Sequence, residues 1–261
     1  MALSNPTKTL SFYKWHGAGN DFILVDDPHF DPQIVKQLCH RRYGIGADGV
    51  IWLIEPNRMH IYNADGQEAP MCGNALRILA QAKKLKTIES SQGIHEVKTI
   101  GGQLAVSLGE PRLVSVNPLI IDSGVRHLVL FEGDFESASK LRAAHNANVN
   151  FVKILTPDTV AIRTYERGVE AETYSCGTGA VAVCFALRMR EGFDGPYHLK
   201  YRSGDHLSVV FIDNQSYLMG EAVCTFKGEI DAYWDTQGDQ GSRISRGGNA
   251  ALRENVDQCR A

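Results

Sequence analysis

Apolar residues fall in short runs along most of the chain. They include "FILVD" (22–26), "VIWLI" (50–54), "MHIYN" (59–63), "QLAVSL" (103–108), "HLVLFE" (127–132), "NFVKIL" (150–155), "TVAIRTY" (159–165), "LSVVFI" (207–212) and "EAVCTF" (221–226). Such runs, broken by turn signals such as "NADG" and "DNQS", predict β-strands. Helical patterns are fewer. Asp31-Pro32 caps a segment that closes at Gly44. Apolar residues at 75, 78, 79, 82 and 85 form one stripe, the mark of an amphipathic helix. The run "AVAVCFALRM" (180–189) is apolar all round and predicts a helix buried on every side. "SASKLRAAHN" (137–146) reads as a surface helix. Many strands and few helices predict an α+β protein.

The two apolar helices share an entrance. "EAPMCGNA" (68–75) aligns with "ETYSCGTG" (172–179): Glu, three residues, Cys, Gly, a small polar residue, then a small one. The glycine turn and strand of "GNDFILVD" (19–26) match "GVRHLVLF" (124–131) at nearly the same offset. Two matches at one offset predict duplicated halves, residues 1–115 with Cys72 and 116–236 with Cys176. The stretch 237–261 is rich in Gly, Asn, Arg and Gln and reads as a mobile tail outside the fold.

Composition narrows the class. With 43% hydrophobic and 22% charged residues in 261, the chain has the profile of a soluble globular protein. A net charge of −3 argues against general nucleic-acid binding. The sequence has no apolar stretch of bilayer length and no secretory leader, so the expected compartment is the cytoplasm, without membrane attachment. There the six cysteines are expected as free thiols. No C-x-x-C or paired His spacing points to a metal.

A cysteine at a helix N-terminus sits among unpaired N–H groups and the positive end of the helix dipole. That setting lowers a thiol pKa and also attracts a carboxylate. Two such thiols facing one carboxylate are what inversion of a stereocentre needs. One takes the α-proton and the other returns a proton to the opposite face. Donors at the carboxylate stabilise the charge that develops between the two steps. No lysine stands out as a Schiff-base residue, and no cofactor is expected.

In "WHGAGNDFILVD", "RRYGIGADGV", "YNADGQEAPMCGNALR", "NVNF", "YERGVEAETYSCGTGA" and "FKGEI", taken in this order, the sequence resembles diaminopimelate epimerases of the cofactor-independent amino-acid racemase superfamily. The resemblance runs from about Phe12 to Trp234. It implies two pseudo-symmetric domains, each an antiparallel barrel-like sheet around a central helix, with the active site in the cleft. It implies Cys72 and Cys176 as the acid/base pair, with His127 beside them. Gly73, Asn74, Gly177 and Thr178 would hold the reacting carboxylate by backbone N–H. Asn20, Asn63, Asn148, Glu166 and Arg167 would line the pocket. The implied activity interconverts L,L- and meso-diaminopimelate for lysine and cell-wall precursor synthesis. The expected partner is a small amino acid, with a homodimer left open.

Three positions depart from the family pattern. Val125 stands where an asparagine is common, Gly49 where some members carry glutamine, and Glu221 where "GPA" is usual. The first predicts relaxed specificity. A proline or hydroxyproline racemase-like enzyme is the alternative within the superfamily, and a dithiol redox pair or an amino-acid binder lies outside it. Cys39, Cys184 and Cys224 read as structural. His16 reads as support, and Glu68 and Glu172 as residues favouring the helix starts.

Overall fold

The computed structural model describes residues 8–232. The stretch 237–261, including Cys259, lies outside the described residues. Among the described residues, four α-helices are set among eighteen strands: α1 (Val35–Leu38), α2 (Gly73–Lys83), α3 (Ala138–His145) and α4 (Gly177–Glu191). The protein is α+β and sheet-dominated.

The duplication is visible strand by strand. In the first half, Asn20–Val25 and Gly49–Ile54 run parallel, and Arg58–Asn63 and Glu68–Ala69 follow antiparallel. The chain then enters α2 and returns through Thr87–Ser90, parallel to Arg58–Asn63. In the second half, Arg126–Leu130 and Asn148–Thr156 run parallel, with Thr159–Glu166 and Ala171–Thr173 antiparallel. The chain enters α4 and returns through Tyr197–Lys200, parallel to Thr159–Glu166. Each half is thus a mostly antiparallel sheet wrapped on one helix.

The last strand of each half pairs with the other half. Arg112–Val116 pairs with Leu119–Asp122, and Val223–Ala232 pairs with Lys8–Gly17. Between these exchanges, Gln103–Gly109 pairs with Gln215–Met219 and joins the two sheets. Main-chain hydrogen bonds therefore cross between the two halves in both directions. The two halves are held by main-chain bonds as well as by packing.

One large core contains both central helices. Leu76, Ile78, Leu79 and Ala80 of α2 share it with Ala180 to Cys184 of α4. Removing a large side chain from such a core costs about 2–5 kcal/mol. The core therefore holds the ends of both helices firmly in register. α1 is shorter than the capped segment suggests. A 3-10 turn at Pro32–Ile34 precedes it, and the amides of Ile45 and Gly46 fold back onto the Leu38 carbonyl. Those bonds use the helix's free carbonyl end and stop it after one turn.

Among the described residues no helix is long and apolar enough to cross a membrane, and no group of three or more His, Cys, Asp or Glu is placed to hold a metal.

Candidate active site

Both central helices begin one residue after a cysteine. Cys72 and Cys176 have extended backbones and occupy the N-cap positions of α2 and α4. Both starts lie a few residues ahead of the apolar stripes, because the first turns are glycine and small polar residues. Glu68 and Glu172 do not serve these starts. Glu68 accepts from His60 Nδ1 at 2.6 Å, and Glu172 takes Arg163 in a two-bond pair. The first intrahelical bonds are Leu76 N–H to the Cys72 carbonyl at 3.0 Å and Ala180 N–H to the Cys176 carbonyl at 2.9 Å. The amides of Gly73, Asn74, Gly177 and Thr178 come before these bonds, in the anion-attracting first turn.

The two N-termini meet end to end. A methyl group built on Gly177 would lie 3.2 Å from the Gly73 Cα, and one on Gly73 would lie 3.5 Å from the Gly177 Cα. A side chain at 177 would press on the Gly73 backbone, and the close approach brings the two cysteine turns together.

The surroundings of the two sulfurs differ. Cys72 is half-buried, with Asn20 Oδ1 at 3.9 Å from its sulfur. Cys176 is buried. Its sulfur lies 3.4 Å from the Thr178 hydroxyl and accepts from the Gly179 amide at 3.4 Å. Burial pushes both thiols above the ordinary value of 9.0, and for Cys176 the nearby Glu166 carboxyl adds to the rise. The helix-end environment was expected to lower these values. The Asn74 and Ala75 amides and the Arg77 charge do favour the Cys72 thiolate, but desolvation outweighs them. Glu166 is itself raised by burial, against hydrogen bonds from Thr173, at 2.6 Å, and Cys176.

His127 is fully buried and reaches Cys176 only through Thr178. Its Nε2 lies 3.0 Å from the Thr178 hydroxyl and its Nδ1 lies 3.0 Å from Asn150 Nδ2. Asn150 also donates to the Leu128 carbonyl and accepts from Thr164, which fixes its amide. His127 Nδ1 is therefore the acceptor and Nε2–H the donor. Burial holds the imidazole down to about 3, so the ring is neutral near pH 7.

Asn20 bridges two groups. Its amide donates to Asp48 at 2.8 Å, and its carbonyl accepts from Asn74 at 3.1 Å. Behind it, Asp21 takes Lys14 and Arg41. Although burial raises its pKa, these bonds hold the Asp21 carboxyl at about 2. Asn148 is buried beside His127 in the parallel strand and accepts from the Arg167 amide at 2.8 Å. The Arg167 guanidinium is exposed and turns to Asn146 at 3.3 Å. Asn63 is exposed at its strand end, and its main chain closes the "NADG" turn on Gln67. Hydrogen bonds thus link Cys72, Asn20 and Asn74 as one group, and Cys176, Thr178, His127 and Glu166 as another. Arg167 and Asn63 stand at the rim.

Ser175, Arg77, Asp48 and Asn150 belong to these networks and were not singled out in the sequence. Asn150 had a signal. It lies two residues from Asn148 in "NVNF", on the same face of one strand.

The sequence comparisons place this two-half sheet protein, with a cysteine at the start of each central helix, in the class of amino-acid epimerases. The diaminopimelate epimerase family model matches residues 12–117 and 119–225. The diaminopimelate epimerase of Methanocella arvoryzae is 33% identical over 278 residues, covering 85% of this chain and 97% of that one. That of Flavobacterium psychrophilum is 38% identical over 210 residues, covering 69% and 82%. The chain belongs to the diaminopimelate epimerase family. Solved structures share the fold at low identity. A PhzF-family phenazine biosynthesis protein of Enterococcus faecalis superposes with a TM-score of 0.62 at 16% identity, covering 85% of this chain and 99% of that one. A hydroxyproline epimerase of Agrobacterium vitis gives 0.58 at 12%, covering 88% and 94%.

Proposed function

We propose that this isomerase interconverts L,L- and meso-diaminopimelate by moving a proton between two cysteines on opposite faces of the α-carbon. The observation that carries the reading is the end-to-end meeting of α2 and α4, each with a cysteine at its N-cap position. The α-carboxylate is received by the amides of Gly73, Asn74, Gly177 and Thr178, where both helix dipoles point. Cys72 or Cys176, as thiolate, takes the α-proton. The other, as thiol, delivers one to the opposite face. Charge delocalised onto the carboxylate meets donors already in place. Both proton carriers are side chains, so no pyridoxal phosphate is called for.

His127 is a positioning residue in this scheme. Its neutral ring orients the Thr178 hydroxyl toward Cys176. Glu166 and Arg167 supply opposite charges for an ammonium and a carboxylate, and Asn20, Asn63 and Asn148 supply neutral polar contacts. Val125 lies in the bend before the strand and is half-buried, while Arg126, the strand's first residue, is exposed. The exposed Arg126 turns to solvent and does not replace the missing asparagine. The distal end is held less stringently, and weak racemisation of a simpler amino acid such as glutamate or aspartate follows. We assign the activity to the cytoplasm, in lysine and cell-wall precursor synthesis.

The test is turnover of L,L-diaminopimelate under reducing conditions with chiral product analysis, beside a panel of simple amino acids. Formation of the meso isomer supports the reading. No change in any substrate at high enzyme concentration refutes it.

A further inference from the structure

Arg77 lies on the second turn of α2, only 1% exposed, with no carboxylate among its hydrogen-bond partners. Its side chain runs back toward the helix start, as long side chains on helices do. Nη2 donates to Asn74 Oδ1 at 2.6 Å, Nη1 donates to the Glu221 carbonyl at 2.6 Å, and Nε has no partner among the described residues. A buried guanidinium with neutral partners is costly to keep. Of the titratable groups that face it, Asp205 is a carboxylate, while burial favours the protonated, uncharged Cys72 thiol and Tyr201 phenol.

Two glycines make room for the charged head. A methyl group on Gly17 would stand 3.0 Å from Nη2, and one on Gly220 would stand 3.0 Å from Nη1. The guanidinium is caged where the first strand ends and the last one approaches.

What the cage holds is the Asn74 carboxamide. With Oδ1 taken by Arg77, Nδ2 faces Asn20 Oδ1 at 3.1 Å, Ser175 Oγ at 3.0 Å and the Ser175 carbonyl at 3.4 Å. Asn20 touches Cys72, and Ser175 immediately precedes Cys176. This one amide therefore ties the two cysteine turns together across the halves. Flipped, it would set a carbonyl oxygen against Asn20 Oδ1 and the Ser175 carbonyl. Arginine carries donors only, so it enforces the bridging orientation. At the repeat offset of 104, Asn74 corresponds to Thr178 and Arg77 to Val181, so the device exists on the Cys72 side alone.

We propose that Arg77 is a positioning residue of the epimerisation. It acts through Asn74 to fix the spacing of the two cysteine turns about the reacting carbon. The inference rests on the epimerase reading above. The experiment compares kcat and KM on L,L-diaminopimelate for the wild type, Arg77→Lys, Arg77→Met and Gly17→Ala. Methionine fills the space but cannot donate, and kcat should fall about 100-fold with KM within about threefold. Lysine keeps a donor and the charge, and should stay within about tenfold of wild type. Alanine at 17 presses on Nη2 and should give a kcat between those two. Equal losses for Met and Lys, a loss confined to KM, or wild-type kcat in the Met and Gly17→Ala variants overturns the proposal. Should the Met variant not fold, Gly17→Ala decides: lowered kcat at unchanged KM supports it, and unchanged kcat overturns it. A wild type that turns over no amino acid sinks the epimerase reading and this inference with it. An active wild type with indifferent variants sinks this inference alone.

Discussion

Gly177→Ala tests the meeting of the helix ends. The added methyl would lie 2.9 Å from Leu218 Cδ2, 3.2 Å from the Gly73 Cα and 3.6 Å from the Gly73 carbonyl carbon, where ordinary contact begins at 3.4 Å. The Leu218 methyl can swing away. The Gly73 backbone moves only if α2 moves, so the two cysteine turns separate by a few tenths of an ångström. A misplacement of about 1 Å can cost about 100-fold in rate, so a few tenths predicts a fall in kcat of roughly tenfold. Overpacking costs about 1–3 kcal/mol, and alanine in place of helical glycine returns about 1 kcal/mol. The net loss of about 0–2 kcal/mol lowers the Tm of a chain this size by at most about 8 °C. Gly73→Ala is the internal control. Its methyl meets side-chain ends at 3.0 and 3.1 Å but the Gly177 Cα only at 3.5 Å, so its rate loss should be smaller. The assay is steady-state epimerisation beside a thermal melt. Wild-type kcat in Gly177→Ala, or a larger loss in Gly73→Ala, would refute the reasoning.

Cys72→Ala and Cys176→Ala should each lower epimerisation by at least about 100-fold, since each face needs its own proton carrier; near wild-type turnover in either would break the two-thiol scheme. In the free enzyme both thiols lie above 9.0 because burial disfavours the thiolate, so protonation persists where an ordinary cysteine has ionised. Iodoacetamide alkylation of the more accessible Cys72 should therefore keep accelerating past pH 9, and a plateau at or below that pH would contradict the ordering of effects. Val125→Asn should narrow the substrate range, read as the ratio of kcat/KM for diaminopimelate to that for glutamate; an unchanged ratio would remove Val125 from the specificity argument.

The parts of the fold legible in the sequence were those with local signals. The all-round apolar run after Cys176 became the buried helix α4, and the stripe after Cys72 became α2. The strands left unassigned include short ones such as Gln215–Met219 and the polar Gly93–Ile100, with His95, Glu96 and Lys98, but also Lys8–Gly17, where buried Leu10 and Phe12 alternate with exposed residues. The identity of Gln215–Met219 comes from a cross-strand partner more than a hundred residues away, which no local window contains. The exchange of last strands is of the same kind. At the site, the cysteine turns carry a repeated motif and were visible. Arg77 reads on sequence as one more helical arginine, and only burial and the two caging glycines single it out. The thiol pKa direction was misjudged because a helix dipole can be inferred from a sequence, whereas the depth of water exclusion cannot.

The central claim is proton transfer at the α-carbon through two side chains on opposite faces. Turnover of L,L-diaminopimelate in deuterated buffer tests it most directly, followed by mass and chiral analysis of the first product formed. The account predicts meso product carrying one solvent deuteron at the inverted carbon, because the proton returned comes from the second thiol and not from the one that accepted it. Meso product that retains the substrate's own α-hydrogen from the first turnover would contradict it, since that is the mark of a single base serving both faces.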